Sequence, residues 1–380
     1  MKTTQTLTVT SRALKRALWM LGVIGILLSS CTNGSNTRSD IIRKTLPENT
    51  GYLVSGLNEN LNFAGNAMMV FDSTDFSKIR ESPLPKSRIE TAKIAPDGNL
   101  WLGLSGGSTR EDNRVVVLDT AGNELSEIHA CLSPTAGIWF YNHSAIIVCR
   151  DTGFYATITE INMSSFTVER KLQIKISDQQ PFMAVSSGLS GSSLGVIGLT
   201  AGPQEALTYS ILSIVNLDTF SVSAMMDLGA GTNIWSVLPY EGRFVLLNAQ
   251  GRDDPKKRDM IWVTPNDHEI EKAVTLPTPS PLWGVIADEV LYSFHNSSWN
   301  SISVTPDRFL CSTNLVTYQQ SCLQLPEHFD SYGMEVVGGN PCITHWGEEG
   351  SSGLYCLENG KLELKIKYEA ASLVVLSTRE

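Results

Sequence analysis

The sequence predicts an all-β protein: a seven-bladed β-propeller of four-stranded antiparallel blades, with the C-terminal strand closing the first blade. Three observations lead there. Charged residues make up only 18% of the 380, while Gly, Ser, Thr, Val and Leu are abundant, a composition suited to many short strands. From Gly51 onward, short apolar runs alternate with turn signals, and a degenerate repeat runs through them. One strand is missing at the front of this series and one is left over at its end.

The repeat is visible in Ile214-Val215-Asn216-Leu217-Asp218-Thr219-Phe220-Ser221-Val222, in Glu160-Ile161-Asn162-Met163-Ser164-Ser165-Phe166-Thr167-Val168, and in Ser312-Thr313-Asn314-Leu315-Val316-Thr317-Tyr318. Each has a strand ending in Asn, a turn, an aromatic and a second strand. Val70-Phe71-Asp72-Ser73-Thr74-Asp75-Phe76 is a fourth copy and Val117–Asn123 a looser fifth. The Asn or Asp suits its position because its side chain bonds backbone amides two residues on. Marked by that residue, the units sit at Asp72, Asp119, Asn162, Asn216, near Pro265, Asn314 and Glu358. Seven units of this length, about four strands each, give a closed ring that covers both faces of every blade.

Two units can be written out in order. The second runs Ile89–Ala95, a Pro96-Asp97-Gly98-Asn99 turn, Leu100–Leu104, Val115–Asp119 and Leu125–Cys131. The fifth runs Ile234–Leu238, a turn at Tyr240-Glu241-Gly242, Phe244–Asn248, Met260–Thr264 and Ile270–Leu276. In the first unit Tyr52–Leu57 already reads as a second strand, so Ser372–Ser377 is expected to supply the first.

Ahead of the repeat, Lys15 and Arg16 precede a twelve-residue apolar run, Ala17–Leu28, that stops at Ser29-Ser30-Cys31. A basic flank, a short apolar stretch and small residues make a secretory signal peptide. Twelve residues rise only about 18 Å as a helix, short of a roughly 30 Å hydrocarbon core. Leu28-Ser29-Ser30-Cys31 resembles the bacterial lipobox, which implies that Cys31 carries lipid and becomes the mature N-terminus. The expected organisation is a signal peptide over 1–30, the lipidated cysteine and a flexible polar tether over 31–48, and one propeller domain over 49–380. The expected location is the cell envelope, lipid-anchored and extracytoplasmic. Thr32 follows the cysteine where an Asp would suggest inner-membrane retention, so an outer membrane is favoured if the host has one.

Residues 1–30 hold four of the 29 basic residues and none of the 39 acidic ones, so the rest carries a formal charge of −14. No basic run exceeds Lys256-Lys257-Arg258, so nucleic acid is not an expected partner. Six cysteines follow Cys31, an even number that favours disulfides outside the cytoplasm. Cys311 and Cys322 flank a turn near Val316-Thr317, and Cys342 and Cys356 are symmetric about Glu349; Cys131 and Cys149 remain. The expected pairs are therefore Cys131–Cys149, Cys311–Cys322 and Cys342–Cys356. None has C-x-x-C spacing, and no metal or cofactor is expected.

Over about residues 50–380 the chain resembles seven-bladed propellers of the WD40, YVTN and NHL kinds. Ala95-Pro96-Asp97-Gly98-Asn99-Leu100-Trp101 looks like the repeat of streptogramin lyases and related propellers, and it occurs once. In such a ring the turns between strands one and two, and three and four, share one face and here are mostly tight. The opposite face carries the long connections, including Leu57–Gly65, Gly106–Arg114, Thr200–Thr208, Gln250–Asp259 and His295–Arg308. Long loops on a rigid scaffold are where binding groups concentrate. The candidates on that face are Arg110, Asp112, Arg114, Arg252, Lys256, His295, Trp299, His345 and Trp346. Trp139, Trp235 and Trp283, each following Ile or Leu on an inner strand, are candidates for packing between blades or for an aromatic collar in the channel.

No His-Glu-x-x-His, Gly-x-Ser-x-Gly or calcium-loop pattern occurs, so no catalytic residue is assigned. The expected function is a monomeric interaction module for a protein or glycan partner. The alternative is a channel enzyme of lactonase or lyase type, which convergent carboxylates or histidines in the channel would favour.

Overall fold

The computed structural model describes residues 50–55, 67–84, 88–105, 114–151, 155–175, 182–201, 208–249, 259–296, 307–331, 333–345, 351–368 and 371–376. They form 28 strands in seven four-stranded antiparallel sheets. Blade 1 contains β1 (Thr50–Ser55), β2 (Ala67–Asp72) and β3 (Lys78–Pro83); blade 2 contains β4 (Arg88–Ile94), β5 (Leu100–Ser105), β6 (Arg114–Leu118) and β7 (Glu124–Ile128). Blade 3 is β8 (Gly137–Tyr141), β9 (Ser144–Arg150), β10 (Tyr155–Asn162) and β11 (Val168–Lys175); blade 4 is β12 (Phe182–Ser190), β13 (Ser193–Ala201), β14 (Thr208–Asn216) and β15 (Ser221–Ala230). Blade 5 is β16 (Ile234–Tyr240), β17 (Arg243–Asn248), β18 (Asp259–Thr264) and β19 (Glu269–Thr275); blade 6 is β20 (Pro281–Ala287), β21 (Val290–Asn296), β22 (Arg308–Asn314) and β23 (Gln320–Gln324). Blade 7 is β24 (Met334–Val337), β25 (Asn340–His345), β26 (Gly353–Glu358) and β27 (Lys361–Lys367), and β28 (Ala371–Leu376) follows it.

β28 is the first strand of blade 1, in the order β28-β1-β2-β3, with Gly51 opposite Leu376 and Ser55 opposite Ala371. The innermost strands touch in sequence around a complete ring: β28, β4, β8, β12, β16, β20, β24 and back to β28. Burial follows position within the blade. Second strands are buried almost throughout, as in β5 and β9, and third strands for the most part, as in β6 and β10. Outermost strands are largely exposed and charged, as in β11 and β19. Six of the seven outermost strands also carry a bulge, five of them just after the preceding hairpin and β27 farther along, at Lys365. Charge and bulges together blunt the free edges against pairing with another sheet.

The turn chemistry of the repeat is as the sequence implies. Asp72, Asp119, Asn162, Asn216 and Asn314 each accept bonds from backbone amides two to four residues on. The aromatic that follows has a second role. Phe76, Phe166, Phe220 and Tyr318 all take positive φ, between 50° and 61°, a conformation that bulky residues rarely adopt. Each reaches back across a seam. Phe166 lies 6.0 Å from Trp101 of blade 2, and Phe220 lies under the Arg170 guanidinium of blade 3 at 4.3 Å. Tyr318 meets Lys272 of blade 5 at 5.0 Å, and Phe76 meets Lys365 of blade 7 at 5.9 Å. Packing between blades offsets the backbone cost.

The three disulfides pair Cys131–Cys149, Cys311–Cys322 and Cys342–Cys356. The latter two are directly opposite in the β22–β23 and β25–β26 ladders. Among the described residues, no helix is long and apolar enough to cross a membrane.

Phe220 gives a test of the strained-aromatic reading. Phe220→Ala is expected to lower unfolding free energy by about 3 kcal/mol, in the range for a large buried side chain. Phe220→Gly should cost roughly 1 kcal/mol less than the alanine change, because glycine accepts φ near 50° freely. Denaturant titration of both variants checks this; an alanine variant as stable as the glycine one or more so would refute it.

Candidate functional site

The inner strands differ from the rest of each blade in being half-exposed along most of their length, as in β8, β20 and β24. Solvent therefore reaches them through a central channel. Five of them bulge against their second strand, leaving Ser372, Glu90, Val185, Trp235 and Leu282 as the extra residue. Such bulges redirect side chains, and one of them carries a channel tryptophan.

Trp139, Trp235 and Trp283 all lie on inner strands, at two heights. Trp283 is opposite Phe294, the fifth residue of β21, and Trp235 sits at the equivalent level beside Leu247. Their rings meet edge to face at 6.3 Å. Trp139 is opposite Ile146, the third residue of β9, two residue steps or about 7 Å nearer the tight-turn face. The indole N–H groups are all satisfied by protein: Trp139 donates to Ser187 Oγ (2.8 Å), Trp235 to Asn233 Oδ1 (2.8 Å) and Trp283 to the Ser331 carbonyl (3.0 Å). Ser187 in turn donates to the Ala136 carbonyl. Gly137 makes this seat possible: a Cβ there would stand 2.3 Å from Ser187 Oγ and 2.9 Å from the Trp139 nitrogen. With the N–H groups engaged, the indole rings are what remain for contact.

Two charged residues that the sequence reading passed over share the Trp139 level. The Lys93 ammonium on β4 lies 4.5 Å from the Trp139 ring centroid, a cation–π contact. Glu335 on β24 lies deep in the ring yet still touches solvent. Burial pushes its carboxyl above the usual glutamate range, and the charge of Lys93 only partly opposes this. The signal was present in the sequence: the seven inner strands hold four charged residues in all, Arg88, Glu90, Lys93 and Glu335, and no histidine. Glu90 accepts a bond from Ser105 Oγ at 2.8 Å.

His295 and His345 stand at the ends of β21 and β25, where the loop-rich face begins, but both are turned inward. His295 is fully buried, with Nδ1 bonded at Thr278 and Nε2 at Ser293 Oγ. His345 stacks on Phe329 at 4.1 Å, and Nδ1 lies 3.0 Å from the Asp330 carbonyl. Burial pushes its pKa down, which favours the neutral ring. Buried Arg308 donates to the Phe329 carbonyl and to Asp330 Oδ1, and Asn296 donates to the same carboxylate. Arg308, Asn296 and His345 fix the crossover into blade 7, whose Ser331 carbonyl holds Trp283, and His295 fixes the crossover into blade 6. In this structure they shape the mouth from behind and present no contact surface themselves.

Arg114 opens β6 on the loop-rich face and pairs with Glu127 at 3.4 Å. On the same face a groove of about 600 Å³ lies between blades 2 and 3, lined by His129, Cys131, Asp151, Thr157, Lys171 and Gln173. Cys31, Arg110, Asp112, Arg252, Lys256, Trp299 and Trp346 lie outside the described residues.

No family model matches the sequence, and no curated protein matches it. Solved structures do match. A candidate 6-phosphogluconolactonase from Bacteroides uniformis aligns over 86% of this chain and 99% of its own, with a TM-score of 0.60 and 10% identity. The β-propeller domain of Cps50 (Swd1) from Myceliophteria thermophila aligns over 77% and 91%, with a TM-score of 0.52 and 9% identity. The Dos1 propeller aligns over 80% and 79%, at 0.53 and 12%. The chain is a β-propeller. At these identities the likeness is one of fold.

Glu335 predicts a pH signature. A carboxyl whose folded pKa is raised contributes stability below its unfolded value, near 4.5, and loses it as pH rises through the folded value. Glu335→Gln should therefore gain thermal midpoint over the wild type as pH rises from about 4 to 8, with little difference at the acid end. Melting curves across that range check it; a difference that shrinks with rising pH would be contrary to this assignment.

Proposed function

We propose that this protein is a lipid-anchored, extracytoplasmic binding propeller whose loop-rich face and channel mouth engage a protein or glycan. The observation that carries the reading is the channel itself: open to solvent and lined with tryptophans whose N–H groups are already used. An aromatic wall with few polar groups is the usual make-up of a ligand site. The candidate lactonase among the similar structures keeps the enzyme alternative in view. Against it, the inner strands supply two carboxylates and no histidine, a poor set for convergent acid–base chemistry.

Topology supports the anchoring arrangement. β1 starts and β28 ends on the tight-turn face, with Gly51 opposite Leu376. A tether from Cys31 would enter there, so the mouth with Trp235 and Trp283 would point away from the membrane. Three disulfides fit an oxidising compartment.

Two experiments test this. Cys31→Ala is expected to move the folded protein from the membrane fraction to the soluble one; membrane retention of the processed variant would end the lipid assignment. Crosslinked capture from native membranes should recover a partner with the wild type. A variant with alanine at Arg110, Arg114, Arg252, Lys256, Trp299 and Trp346 should lose at least nine-tenths of it. Equal recovery by both would move the contact off this face.

A further inference from the structure

The channel has two unlike flanks. Blades 7, 1 and 2 bring the charges, Glu335 on β24 and Arg88, Glu90 and Lys93 on β4, with the uncharged strand Ala371-Ser372-Leu373-Val374-Val375-Leu376 between them. Blades 3, 5 and 6 bring Trp139, Trp235 and Trp283. The Lys93 ammonium makes no ion pair within 4 Å among the described residues, and its contact is the Trp139 ring. A ring face compensates an ammonium only partly, so an inward-set cation of this kind attracts an anion.

We propose that the channel binds the acidic end of a glycan, a hexuronate whose carboxylate pairs with Lys93 and whose ring lies along the tryptophan flank. The proposal rests on the ligand-binding reading above and names the ligand of that site. Several features select this chemistry. Among the described side chains the ammonium has no arginine fork beside it, and a point charge of this kind suits a singly charged carboxylate better than a phosphate. The Glu335 carboxyl carries one bond at Oε1, from the Val336 amide at 3.3 Å, and has capacity left for a sugar hydroxyl. Burial, which disfavours its charged form, limits how far it neutralises Lys93. Indole faces stack on the C–H faces of a pyranose, and the two tryptophan levels, about 7 Å apart, offer separate contacts to different sugars of one chain. The acidic terminal sugar would then sit at Trp139 and its neighbour at the Trp235–Trp283 pair, with the remaining chain leaving through the mouth.

Calorimetric titration of the full mature protein with glucuronate, digalacturonate, glucose and benzoate tests this. Glucuronate is expected to bind at least tenfold more tightly than glucose or benzoate, and digalacturonate more tightly again. Lys93→Met, which keeps the stem over Trp139 and removes the charge, should weaken glucuronate at least tenfold and leave glucose unchanged. Trp283→Ala should weaken digalacturonate more than glucuronate. Binding of glucose or benzoate equal to that of glucuronate, or no binding of either acid, would overturn the proposal, and these readings need only the unmodified protein. The loop-face capture separates the two claims. If capture succeeds while the acids fail, the channel ligand is wrong and the interaction module stands. If the acids bind while capture is unaffected by the loop variant, the face is wrong and the channel stands.

Discussion

The pairing of β28 with β1 is the contact on which the rest of the ring depends. It joins residues more than 300 positions apart, Gly51 with Leu376, and so carries a large share of the chain-closure entropy. Without it β1 would offer an open inner edge, and β24 and β4 would lose the strand that lies between them. Those two strands carry Glu335 and Lys93. Ring closure and the charge pattern of the channel are thus one structural event, and β1 starts and β28 ends on the tight-turn face because of it.

Between blades, cohesion comes from a recurring plug. The turn aromatic of one blade packs on a cation or indole of the blade before it, at Phe76, Phe166, Phe220 and Tyr318. Where the repeat lacks that aromatic, something else fills the seam. Blade 2 has Ala121, and Arg80 of blade 1 donates instead to the Thr120 and Ala121 carbonyls. Blade 7 turns tightly at Asn359-Gly360, and its seam with blade 6 is filled by Phe329 between His345 and Tyr355. His345, which the sequence assigned to surface contact, works in this seam, while His295 is held at Thr278 in the crossover into blade 6.

The channel combines features that a stability argument alone does not need. Lys93, Glu335 and half-exposed tryptophans on inner strands all forgo some burial, whereas second strands are packed almost dry. Polar groups kept at partial exposure in a concave site are the feature on which the proposed ligand-binding role rests. The loop-rich face extends that site outward, with Arg114 and the groove beside Cys131 on the rim.

How much was legible follows from the range of each interaction. The Asn or Asp with its backbone bonds, the two-residue turns and the cross-strand cysteines are local, so spacing along the chain determined them. The unpaired first and last strands determined closure by simple counting. The heights of the three tryptophans were decided only in three dimensions: Ile138-Trp139 and Leu282-Trp283 look alike in sequence, but strand length and bulges set them two residue steps apart. The inward turn of His295 and His345, and the meeting of Lys93 with Trp139 across a seam, were also tertiary decisions. Each depends on a neighbouring blade whose position relative to the residue is set by ring geometry, which no local pattern encodes.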